Sequence, residues 1–151
     1  MPQANLNWII LLPIIAGAAV ATQTAINGQL RVVVGNPFVA ALISFTVGTV
    51  VLATLVFFTK QELPEFRQLA GASWYKFIGG ALGAFFITSV IVSVQRMSVA
   101  NLLSLVVAGQ LITALLYDQF GLFGLKESPI TLTRALGALA LIVGAYLINK
   151  K

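Results

Sequence analysis

The chain contains no cysteine and no histidine, which removes disulfide stapling, thiol chemistry and the commonest transition-metal ligands together. Charge is nearly as scarce, since charged residues make up 9% of the 151 positions, against about a quarter in an ordinary soluble domain. Acidic residues number four, and none lies near the middle of an apolar run, so a lipophilic cation would find no counter-ion inside a span. Without paired carboxylates, an imidazole base or a thiol, the scattered serines have nothing to activate them. The chain therefore reads as a non-enzyme with no metal and no cofactor. Its net charge of +5 does not point to nucleic acid either, because the nine basic residues are spread singly over loops and ends rather than gathered into a patch.

What is abundant is apolar sequence: 59% of the residues are hydrophobic. The apolar stretches run over 8–26, 38–58, 74–94, 99–117 and 132–148, and each has the length that lets an α-helix cross a hydrocarbon core of about 30 Å. The expectation is an all-α integral membrane protein with five transmembrane helices per chain, residues 1–151 forming a single five-span domain with the lipid bilayer as its solvent. The first stretch reads as an uncleaved span, because the residues before it carry no basic n-region. The longest loop, around Glu62, Pro64, Glu65 and Arg67, leaves no room for a soluble domain.

Five spans put the chain ends on opposite sides. Arg31, Arg96, Lys150 and Lys151 then share one side, and Lys60, Arg67, Lys76, Lys126 and Arg134 the other. Basic residues beside span ends usually set orientation, and four against five sets almost none. The chain is expected to insert both ways up.

Helices in lipid associate through close approach at small residues. Gly79 and Gly80 open such a groove in the third span, Ala40, Ser44 and Gly48 form a line in the second, and Gly137, Ala140 and Gly144 do so in the fifth. Gly35-Asn36-Pro37 is a turn leading into a helix, and Gly121 and Gly124 close the fourth span. Polar residues inside spans are the first place to seek function. Gln23 and Asn27 share a face at a spacing of four, and Gln110, Thr113 and Tyr117 form a stripe in the fourth span. They read either as neutral hydrogen-bonding groups around a polar substrate or as interhelical glue. Asn101 and Ser104 point elsewhere and are expected to bond a neighbouring helix. Asp118, the one acid close to a span, is either interfacial or salt-bridged to Arg31 or Arg96, or else an ion- or proton-coupling group.

The runs Gln23-Thr-Ala-Ile-Asn27-Gly-Gln-Leu30, Ala40-Ala-Leu-Ile-Ser-Phe-Thr-Val-Gly48, Gly79-Gly-Ala-Leu-Gly-Ala-Phe85, Val106-Val-Ala-Gly-Gln-Leu111 and Asp118-Gln-Phe-Gly-Leu-Phe-Gly124 closely resemble the YdcZ-like family, a half-size, five-span branch of the drug/metabolite transporter superfamily. The resemblance implies a multi-pass protein of the bacterial inner membrane that carries a small molecule. It also implies a partner, either a second copy of the chain in antiparallel orientation or an oppositely oriented paralogue, the pair making a ten-helix transporter-like assembly. Carried onto this chain, it assigns Gln23, Asn27, the third-span groove through Gly83, and Gln110 to the substrate pathway. The first span has Gln23 where the small multidrug relatives use an embedded glutamate, so their cationic cargo and coupling do not carry over. A channel and an accessory subunit remain as alternatives to a transporter.

Overall fold

The structure, a computed structural model, describes residues 4–150, with side chains described from residue 9 onward. Lys151, which enters the charge balance, and the side chain of Trp8, where the first span was expected to begin, lie outside the described residues. The described chain is all helical, without strands: α1 (Ala4–Val34), α2 (Pro37–Phe58), a short α3 (Phe66–Ala70), a tight helical turn at Trp74–Phe77 that leads into α4 (Ile78–Ser93), α5 (Val99–Phe120) and α6 (Leu132–Asn149). Five segments are long and apolar enough to cross a membrane: Ile9–Val34, Pro37–Phe58, Trp74–Ser93, Val99–Phe120 and Leu132–Asn149. Two boundaries move outward from the sequence expectation. The first helix continues eight residues past Ile26, which keeps Asn27 and Arg31 on the same helix as Gln23, and α5 continues to Phe120, which takes Asp118 into its last turn.

Local chemistry explains where the helices stop. Gly35 takes φ +73° and its N–H donates to Arg31 O at 2.8 Å, and the Asn36 side chain accepts from Phe38 N and Val39 N with Pro37 at the first helical position. The expected turn is there, built from the residue types that such a helix junction favours. Ser98 and Thr131 cap α5 and α6 in the same way, accepting from Asn101 N and Arg134 N. Gly121 ends α5 in the left-handed region at φ +56°, where an L side chain is disfavoured. The loop before α4 contains α3, which its sparse apolar pattern did not announce.

The helices fall into two compact units, Met1–Arg96 and Met97–Lys151. In the first, α1, α2 and α4 pack on one another around Ala40, Ala41, Ile87 and Ile91, with Leu30 and Val34 against them. Ala40 is fully buried, so the small-residue line of α2 does bring backbones close, but only at its start: a methyl group on Gly48 would meet open space. Gly79 and Gly80 likewise face nothing within 4 Å. Gly83 sits under the ring of Phe45 on α2, whose Cζ would lie 3.5 Å from an added Cβ, so its contact is with a helix neighbour.

The second unit is the α5–α6 hairpin. Its close approach falls on Ala138 and Ala145, both buried, rather than on Gly137 and Gly144, neither of which has an atom within 4 Å of an added Cβ. One residue along a helix turns the face by about 100°, enough to move the seam off the glycines.

Candidate functional site

Hydroxyl groups in a span can satisfy themselves by donating to the carbonyl one turn back. Most here do: Thr22 to Ala18 O, Thr24 to Val20 O, Thr46 to Leu42 O, Thr49 to Phe45 O, Thr54 to Val50 O, Ser89 to Phe85 O and Thr113 to Gly109 O, all between 2.7 and 3.0 Å. Against that background the unsatisfied groups stand out. Gln23 and Ser44 make no hydrogen bond among the described residues, and Asn27, only 3% exposed, buries its Nδ2 without a partner.

These three residues line one groove between α1 and α2, with Ala19, Thr22, Ile26, Leu30, Ile43 and Val47 completing it, and the groove holds about 510 Å³. The spacing of four between Gln23 and Asn27 does bring both to one cavity. Ser44, expected as a packing residue, lies across from them on α2. No lining side chain is charged.

The backbone beside Asn27 is held firmly. Gln95, just past α4, donates from Nε2 to Gly28 O at 2.9 Å, and a Cβ at Gly28 would come 2.8 Å from Val94 Cγ1. Only glycine allows α1 and the end of α4 to approach so closely. Sequence reasoning gave Gly28 and Gln95 no role; a glycine directly after an in-span asparagine was the available signal.

A second groove in the same unit, about 620 Å³, is lined by Phe38, Ala84, Phe85, Thr88, Ser89, Val92 and Ser93. It offers hydroxyls alone and contains no buried orphan group, so it is the weaker site.

Several polar residues of the second unit have partners. Asn149 at the end of α6 reaches Ser104 Oγ at 2.9 Å, Asn101 O at 3.3 Å and Ala145 O at 2.8 Å from its Nδ2, so the Ser104 side chain does bond a neighbouring helix, as expected, whereas Asn101 does so only through its backbone carbonyl, its Oδ1 accepting from Ser98 Oγ at 2.7 Å. Thr113 is bonded to its own helix, and the Tyr117 ring stands edge-on to Phe123 at a centroid distance of 5.3 Å. That contact braces the hairpin turn, where Phe123 itself has φ +60°. Gln110 is exposed on α5.

Asp118 is ion-paired to Arg134 on α6, not to Arg31 or Arg96, which form no ion pair among the described residues. Arg134 also donates to Ser128 O and Ser128 Oγ, the N–H of Ser128 donates to Asp118 O, and the N–H of Ile130 donates to Gln119 Oε1. The carboxylate belongs to a clamp that closes the α5–α6 loop. Arg134 was missed as the partner because a separation of sixteen residues carries no periodic signal across a loop. The clamp also occupies one of the five basic residues in the charge balance.

Five helices long and apolar enough to cross a bilayer, two of them enclosing a groove lined by uncharged residues, define a multi-pass membrane protein. Residues 8–147 match the family described as "Putative inner membrane exporter, YdcZ", and the chain belongs to that family. It is 31% identical to "Inner membrane protein YdcZ" of Escherichia coli (strain K12), over 97% of this chain and 98% of that protein. No solved structure matches the chain. The protein is a multi-pass protein of the inner membrane, and membership of an exporter family supports a transporter role.

Proposed function

We propose that the chain is a secondary transporter that exports a small polar or amphipathic metabolite by alternating access, working as a dual-topology antiparallel homodimer. The observation that carries the transport reading is the gathering of Gln23, Asn27 and Ser44, unpaired in apolar surroundings, in one groove. Polar groups kept without partners in a membrane helix are expected where a water-filled path or a substrate reaches them. The exporter description of the family supports the same reading.

The near-even distribution of basic residues supports the dual topology. A second, inverted copy supplies what a five-span chain lacks, the other half of an inverted-repeat transporter with its site at the repeat interface. If the two copies take slightly different shapes, exchanging those shapes converts an outward-open path into an inward-open one. Symmetry makes the two states equal in energy.

The chain has no cysteine, so one introduced at either terminus is a unique label. A membrane-impermeant thiol reagent applied to sealed vesicles should label about half of each terminal variant from outside and the rest only after permeabilisation. Labelling from one side alone would count against a lone dual-orientation homodimer and favour an oppositely oriented paralogue. In proteoliposomes, saturable counterflow supports a transporter, whereas ohmic current would indicate a channel.

A further inference from the structure

The groove between α1 and α2 has a chemical preference that the transport reading leaves open. A buried donor without an acceptor forfeits its hydration and gains nothing in return, and native structures seldom leave one without a reason. Asn27 Nδ2 is such a donor, on a residue 97% buried by its 3% exposure, and Asn27 is among the residues lining a groove large enough for a small molecule. Its neighbour Thr24 is 2% exposed yet spends its hydroxyl on Val20 O. Burial on this face of α1 therefore does not itself prevent a polar group from being satisfied.

We propose that this groove binds an uncharged amphipathic molecule carrying an amide or hydroxyl group, with Asn27 as the anchoring hydrogen-bond partner and Gln23 and Ser44 completing the polar side. Asn27 offers both an N–H donor and a carbonyl acceptor, and a half-turn about its terminal torsion exchanges them. A ligand group that likewise donates and accepts suits it best. The remaining lining residues, such as Ile26, Ile43 and Val47, would cover the apolar body. A cation would enter without a counter-ion and a carboxylate without a basic partner. Arg31, one turn beyond Asn27, is the nearest candidate for an anion, and it is not among the lining residues.

The purpose of such a site rests on the transporter reading, but its occupancy can be measured without transport. The full chain in lipid nanodiscs would be titrated at about pH 6, where an α-amino group is protonated and a carboxylate ionised, with three radiolabelled probes sharing one apolar body: N-acetylphenylalaninamide (neutral), N-acetylphenylalanine (anionic) and phenylalaninamide (cationic). The neutral probe should bind saturably and at least tenfold more tightly than either charged one. Asn27→Leu should weaken it at least tenfold while leaving the apparent Tm unchanged or raised, because it removes an orphaned donor. Ser44→Ala should weaken it two- to fivefold, and Thr54→Val, whose hydroxyl is spent on its own helix, should do nothing.

The proposal is overturned if the neutral probe fails to saturate, if either charged probe binds as tightly, or if Asn27→Leu leaves binding intact. It is also overturned if Asn27→Leu lowers Tm or prevents folding while Ser44→Ala leaves binding unchanged, because Asn27 would then be structural glue. Neutral-probe binding without vesicle counterflow would sink the transporter and keep the site; counterflow without such binding would do the reverse.

Discussion

Asn149 and Asn27 carry the same side chain into apolar surroundings and meet opposite circumstances. Asn149 in the α5–α6 hairpin has three acceptors within reach of its amide nitrogen, one on α6 itself and two on α5. Asn27 in the α1/α2 groove has none for its own. The hairpin repeats its pattern in Arg134, which joins Asp118 and Ser128 across a loop, while the groove repeats its pattern in Gln23 and Ser44. In this protein the partnered amide and ion pair of the hairpin join one helix to another, whereas the buried amide nitrogen of Asn27 joins none.

The comparison can be tested from its largest expected effect downward. Gly121→Ala attacks the hairpin at its tightest point, because an added Cβ would face Leu125 O at 3.1 Å and Glu127 Cγ at 2.8 Å in the left-handed region. It should destabilise by about 2 to 3 kcal/mol, measured by unfolding in mixed micelles. Arg134→Leu removes the clamp from Asp118 and Ser128. With both charged side chains about a third exposed (32% and 35%), solvent moderates the loss, and about 1 to 2 kcal/mol is expected. Faster proteolytic nicking of residues 121–131 should accompany it.

Asn149→Leu should cost about 1 kcal/mol, in line with interhelical hydrogen bonds in membranes. Asn27→Leu sharpens the contrast, since it should change stability by about 0 to 1 kcal/mol in the stabilising direction while vesicle counterflow falls by at least tenfold. A destabilised Asn27→Leu protein would erase the distinction between the two asparagines. Thr113→Val is expected to be the mildest, within about 0.5 kcal/mol, because its hydroxyl only supplements a helix carbonyl. A large loss of transport in that variant would place Thr113 on the pathway.

The sequence stripe Gln110, Thr113 and Tyr117 illustrates the limit of periodicity. Spacing established that they share a helix face, but not what the face meets. In the structure Thr113 is bonded to its own helix and the Tyr117 ring stands edge-on to Phe123. Gln23 and Asn27 came from the same kind of argument and do converge on one groove, joined there by Ser44, which had been assigned to packing.

By itself the sequence determined the five membrane-crossing segments, the Gly35-Asn36-Pro37 junction, the glycine end of the fourth span and the family. Hydropathy, helix length and capping act over a few neighbouring residues, so they are written locally. Tertiary structure decided that Asp118 pairs with Arg134, that the hairpin closes on Ala138 and Ala145, and that Asn149 is satisfied while Asn27 is not. Each of those outcomes depends on the rotation of one helix against another, where a single residue's shift turns the contact face by about 100°, and no local pattern encodes that angle.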